Sequence, residues 1–221
     1  MREILILVEG QTEETFARDI LRPHLLPREL VLVPIVVATK RVKAGGKFRG
    51  GVQSYRQVEG DVQRLLNHRG AAAITTMLDF YGLPEDFPGW ASLPRPGSCY
   101  EQVQHLEEAF RADIDHRLFL PYISLHEFEA LLLVDPQEIA SAFPGQSLEG
   151  LGAEVAPFPS PEEVNDGPET HPAARIQRSA RGYQKTLHGP TIAARIGLQR
   201  IRERCPHFDA WLRRLEDLAA S

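Results

Sequence analysis

The chain has 221 residues, 43% hydrophobic and 25% charged, with 17 Gly and 17 Pro, a composition that excludes a wholly disordered, collagen-like or coiled-coil chain. Its longest apolar run, Leu30 to Ala38, contains Pro34 and falls short of the ~18 residues of a membrane span. The formal net charge of -5 argues against a polyanionic partner until it is resolved by segment: +4 over residues 1–70, -15 over 71–170 and +6 over 171–221, an asymmetry that asks for a functional explanation.

Ile4 to Val8 is an unbroken apolar run ending at Glu9-Gly10, which predicts a strand buried on both faces. Gln11 to Leu21 then turns helical, with Thr12 as the expected N-cap, Glu13 and Glu14 at the positive end of the helix dipole, and Pro23 as its stop. Leu30 to Ala38 is a second strand, which Pro34 moves towards a sheet edge. Lys40 to Gly51 carries Lys40, Arg41, Lys43, Lys47 and Arg49 among four glycines and no acid; it reads as a glycine-hinged basic loop.

Val52 to Leu66 has apolar residues at helical spacing, Ala71 to Leu78 is a third buried strand closing on Asp79, and a proline-rich loop follows. Tyr100 to Ile114 makes a helical stripe. Leu118 to Ser124 is a fourth strand, running out at His126-Glu127. The alternation predicts an α/β fold with an open, mostly parallel, doubly wound sheet flanked by helices over residues 1–134. Residues 135–221 are expected to form a helical extension packed on that core, with a short helix from Asp135-Pro136 and amphipathic helices over Thr191–Arg204 and Pro206–Leu218.

Ligands of open α/β sheets sit beyond the carboxyl ends of the strands. Three of the four strands finish at a carboxylate, Glu9, Asp79 and Glu127, and neighbouring strands would bring these acids to one rim. Crowded carboxylates repel unless a cation neutralises them, and hard oxygen donors without thiolates favour Mg²⁺ or Mn²⁺ over zinc. Glu127 and Glu129 are two residues apart, so on a helix at most one of them would point to that rim. His126 is a proton shuttle or a structural histidine, and Tyr81 a stacking surface or loop packing. The basic residues of the Lys40–Gly51 loop, with Arg175, Arg178, Arg181, Lys185 and Arg195, offer two walls for a phosphate backbone.

P-loop, GxSxG and GxGxxG motifs are all missing from the sequence, which removes the main support for a Walker-type NTPase, an α/β-hydrolase and a dinucleotide dehydrogenase. Two cysteines, Cys99 and Cys205, make neither a disulfide framework nor a four-thiolate zinc site. Glu3 precedes the first apolar stretch and no small-residue cleavage site follows it, so a cytoplasmic chain without a signal peptide is expected.

EGQTEETF after the first strand, TTMLDFYGLPEDFPG around the third, HEFEALL after the fourth and the late GLQRIRERCPHFDAWL together resemble a bacterial family of uncharacterised TOPRIM-like proteins, domain of unknown function 4276. The resemblance implies the metal-binding fold of topoisomerase-primase domains and, by association, OLD-type nucleases, many acting beside AAA-type or SMC-like ATPases in phage defence. It places Glu9 at the TOPRIM glutamate and Asp79 at the first aspartate of the D-x-D pair. Tyr81 stands where the second aspartate belongs, and Glu127 is the expected replacement. Asn165, Arg175 and Lys185 lie in further family-like stretches, and the resemblance implies that they line the same cleft. The leading expectation is an Mg²⁺- or Mn²⁺-dependent nuclease acting on DNA, with Glu9, Asp79 and Glu127 on the metal and Lys185 or Arg175 on the scissile phosphate. The alternatives are a catalytically silent nucleic-acid-binding or ATPase-docking module, and a phosphotransfer enzyme or small-phosphoester hydrolase.

Overall fold

Residues 4–8 alternate between two cores, and this fixes the architecture. In β1 (Arg2–Val8) the side chains of Ile4, Ile6 and Val8 join one buried cluster, and those of Leu5 and Leu7 join another on the opposite face, as the two-residue period of a strand requires. A computed structural model describes residues 1–37, 52, 54–165, 167 and 169–220. The sheet runs β2-β1-β3-β4, with β5 also paired to β3, and every pairing is parallel. Its strands are β2 (Leu30–Val36), β3 (Ala71–Asp79), β4 (Phe119–Leu120) and β5 (Ile123–Ser124). Pro34 lies on the edge strand β2, where its missing N–H leaves no gap inside the sheet.

α1 (Gln11–Phe16) follows β1, and α2 (Arg22–Leu25) follows a π-helical turn over Ala17–Leu21. The expected stop at Pro23 does not occur. The wider π turn ahead of Pro23 accommodates a ring that has no N–H to give the helix ladder, and the chain turns only at Glu29, with φ of 59°. Thr12 is not the N-cap either: Gly10 takes that place, and Thr12 is buried in the first turn.

α3 (Tyr55–Leu66) and α4 (Cys99–Ile114) cover one face of the sheet, where Val58, Val62, Val103, Leu106 and Phe110 meet Leu5, Leu7, Ile74 and Leu78. The fourth strand is broken in two. Pro121 interrupts the ladder, and Tyr122 pairs with the Thr76 hydroxyl instead, accepting from Thr76 Oγ1 at 2.8 Å and donating its N–H back to it at 3.0 Å.

The other face carries α1 and much of the later chain: α5 (Pro136–Ser141), α6 (Glu149–Val155), α7 (Pro172–Ser179), α8 (Lys185–Ile196), α9 (Leu198–Arg204) and α10 (Pro206–Glu216). The helix expected over 191–204 is two helices, since Gly197 adopts φ of 83° between them. Ile192, Ile201, Phe208 and Leu212 share one buried cluster with Ile4, Ile6, Val8 and Met77, so the extension and the sheet close a common core. Among the described residues no helix is long and apolar enough to cross a membrane.

Candidate active site at the carboxyl ends of the strands

Strand register sets the site. Val8 lies opposite Met77 in the parallel β1–β3 pair, and Asp79 lies opposite Ser124 in the β3–β5 pair, so the residues just beyond these ends converge. The Asp79 N–H donates to Glu9 Oε2 at 3.2 Å, and the Phe128 N–H donates to Asp79 Oδ1 at 3.1 Å. Gly82 faces the Glu9 carboxylate so closely that a Cβ there would stand 2.9 Å from Oε1 and 3.0 Å from Oε2. Such an approach is open only to a residue without a side chain.

Two further carboxylates enter that the sequence did not assign to the rim. Glu13, on the first turn of α1, accepts the Gly10 N–H at 3.0 Å. Its position as a helix-start acid concealed this second use. Glu129, 1% exposed, accepts the Tyr183 hydroxyl at 3.2 Å and the Lys185 ammonium at 3.1 Å. The expectation that Glu127 and Glu129 diverge is therefore corrected. Glu127 is extended, with φ of -161°, and a 3-10 helix begins at Phe128, so α-helical spacing does not apply and both carboxylates reach the same Nζ. Glu127 Oε2 is 2.9 Å from Lys185 Nζ, while its Oε1 lies 2.6 Å from His171 Nδ1 and 2.6 Å from the donating Ala173 N–H. Lys185, at the start of α8, is held close by Gly189, where a Cβ would stand 3.1 Å from Thr12 Cγ2 and 3.3 Å from Phe128 Cε1.

Five acids thus surround one ammonium, and their titration reflects the imbalance. Burial, then repulsion from Glu9 and Glu13, holds Asp79 well above the ordinary carboxylate range. Burial also raises Glu9, against the Asp79 N–H that lowers it. Glu13 and Glu129 are pushed up by burial to about 7, the latter in spite of Lys185. Only Glu127 lies below its usual value. Burial works against it, but Lys185, the Ala173 N–H and His171 outweigh burial. Burial depresses Lys185, and Glu129 and Glu127 reverse this, leaving it above the usual lysine value.

The donor set is all hard oxygen, which suits Mg²⁺ or Mn²⁺. As the side chains stand, no group of three His, Cys, Asp or Glu among the described residues forms a ready metal set. The central cation is Lys185.

Of the residues expected to line a phosphate-binding cleft, Lys185 stands in the cluster. Arg175 is buried and engaged elsewhere: its Nη1 lies 2.9 Å from Glu154 Oε2, and its Nε donates to the Thr170 carbonyl. Lys40, Arg41, Lys43, Lys47 and Arg49 lie outside the described residues. His126 is buried with φ of 64°, its Nδ1 3.1 Å from Asn165 Nδ2. Tyr81 is 45% exposed beside the cluster, its ring 5.6 Å from that of His171 and its hydroxyl donating to Asn165 Oδ1 at 3.3 Å. No local pattern singles out His171 or Tyr183, because each reaches the cluster from far along the chain; both fall in the family-like stretches that also hold Arg175 and Lys185.

No curated protein matches the chain, and no solved structure does. A family model described as domain of unknown function (DUF4276) matches residues 8–216, and the chain belongs to that family.

Proposed function

We propose that the chain is a divalent-metal-dependent phosphodiesterase of TOPRIM-like type that cleaves nucleic acid, DNA first among the substrates to test. The observation that carries this reading is the gathering of Glu9, Glu13, Asp79, Glu127 and Glu129 at the strand ends, with four of the five raised in pKa by burial and crowding. Excess buried negative charge of this kind is relieved by a dication. Glu9, Asp79 and Glu127 would hold Mg²⁺ or Mn²⁺, which when bound supplies Lewis acidity and a more acidic water. Since Lys185 occupies Glu127 and Glu129 at 2.9 and 3.1 Å, entry of the ion requires the ammonium to give up Glu127.

Lys185 then has a second use. Its side chain is 41% exposed, so the released Nζ can meet a scissile phosphate and stabilise its developing charge. His171 and the Ala173 N–H fix Glu127 from its far side, and Gly82 lets Glu9 lie flat against the turn after β3. The basic stretch Lys40–Arg49 would follow the phosphate backbone, and an AAA-type or SMC-like ATPase would be the partner in a cytoplasmic defence or repair system. Purified protein with supercoiled plasmid and Mn²⁺ tests the reading: nicking that disappears in Asp79→Asn supports it, and absence of nicking together with absence of Mn²⁺ binding refutes it.

The second reading, a catalytically silent nucleic-acid or ATPase-docking module, is favoured by Tyr81 in place of the second D-x-D aspartate and by the ammonium already seated in the cluster. It is distinguished by nucleic-acid binding that survives Asp79→Asn with no cleavage in the wild type.

A further inference from the structure

A cavity of about 500 Å³ opens beside the break between β4 and β5, lined by residues of α4 and α10 and by Pro121. Two of its lining residues, Trp211 and His207, stack on the Tyr122 ring at 4.4 Å and 5.2 Å, and the Trp211 Nε1–H donates to Thr75 Oγ1 at 2.9 Å. Most polar groups at the cavity are already engaged. His207 Nε2 lies 3.1 Å from Glu107 Oε1 and 3.2 Å from the Ile123 carbonyl, and Gln104 donates to Glu108 at 2.9 Å.

Arg214 differs. It lines the cavity half-buried and makes no hydrogen bond or ion pair among the described residues. Burial, then the neighbouring Arg111, holds it below the usual guanidinium value, and Glu107 offsets this only in part. Glu107, the carboxylate nearest it at the cavity, is engaged by His207, and a half-buried guanidinium with no ion pair among the described residues is costly and presents a planar fork matched to phosphate or carboxylate. Pro121, Pro206 and Ala210 supply an apolar wall next to it, and the volume lies within the ~300–1,000 Å³ of small-molecule sites.

We propose that this cavity is a second ligand site, separate from the carboxylate cluster, for a small organic anion of mononucleotide size. Its phosphate or carboxylate pairs with Arg214, with Arg111 adding to the local positive field, and its flat apolar body lies against Pro121, Pro206 and Ala210. Isothermal titration of the full chain tests this with four probes: adenosine 5′-monophosphate and indole-3-acetate, which carry both parts, and adenosine and inorganic phosphate, which carry one each.

At least one of the two complete probes is expected to bind with a sub-millimolar Kd, about tenfold or more tighter than either half. That affinity should fall about tenfold or more in Arg214→Gln, recover partly in Arg214→Lys, and vanish when Ala210→Trp fills the cavity. It should be unchanged in Asp79→Asn. Which complete probe binds identifies phosphate or carboxylate as the preferred anion. Failure of both complete probes to bind in the millimolar range overturns the proposal. So does wild-type affinity in a folded Arg214→Gln, or loss of binding in Asp79→Asn.

Discussion

Replacing Lys185 with methionine separates two roles that a single lysine combines here. In the metal-free protein its ammonium makes two contacts, 2.9 Å to Glu127 and 3.1 Å to Glu129. A hydrogen bond to a charged group is worth about 1.5–3 kcal/mol. The side chain is 41% exposed, so solvent screening reduces each contact by about half, leaving about 1.5–3 kcal/mol for the pair. An entering dication must displace the Glu127 contact, about half of this sum, and Lys185→Met removes that competition. The expected result is Mn²⁺ binding about 3- to 10-fold tighter than wild type, measured by isothermal titration at fixed pH. Cleavage should be lost, since nothing then meets the scissile phosphate. If Mn²⁺ binds more weakly in the folded variant, or equally well, Lys185 is not the resident counter-ion and the proposed exchange is wrong.

Three other outcomes follow from the same geometry. Gly82→Ala puts a Cβ within 3.0 Å of both Glu9 oxygens; it should displace that carboxylate and abolish Mn²⁺ binding, while the melting temperature moves by less than the equivalent of about 1 kcal/mol. In the metal-free protein Glu13 and Glu129 hold protons up to about 7, whereas the unfolded chain releases them near about 4.3. The folded state therefore binds more protons between these values, and urea denaturation should show stability falling by on the order of a few kcal/mol as pH rises through that window. Saturating Mn²⁺ should flatten the fall, and a rise with pH would contradict the assignment. Arg175→Gln removes the contacts to Glu154 and the Thr170 carbonyl, so denaturation should show a loss of about 1–3 kcal/mol, with the salt dependence of DNA affinity unchanged in a filter-binding titration.

The sheet was legible in the sequence because strands buried on both faces leave continuous apolar runs. Ile4 to Val8 and the small, apolar and β-branched run Ala71 to Leu78 both read as such strands, and Pro34 pointed to an edge. The convergence of Glu9, Asp79 and Glu127 followed from parallel strands ending together. Less accessible was everything that depends on departures from regular geometry. α-Helical spacing allows only one of Glu127 and Glu129 at the rim, but the chain there passes from extended backbone straight into a 3-10 helix. Glu13 resembled an acid serving a helix dipole, and its burial comes from α8 packing across α1 through Gly189. Pro23 marked a helix stop, and the π turn before it absorbed the disruption. Arg175 looked available for phosphate because its partner Glu154 lies in a different helix, a pairing no local pattern encodes.

The most direct measurement of the central claim is Mn²⁺-dependent nicking of supercoiled plasmid by the wild-type chain and by Asp79→Asn, with folding of both checked by circular dichroism. The account predicts cleavage by the wild type that requires Mn²⁺ or Mg²⁺ and is absent from the folded variant. Equal cleavage by Asp79→Asn, or cleavage that persists in chelator, would contradict it.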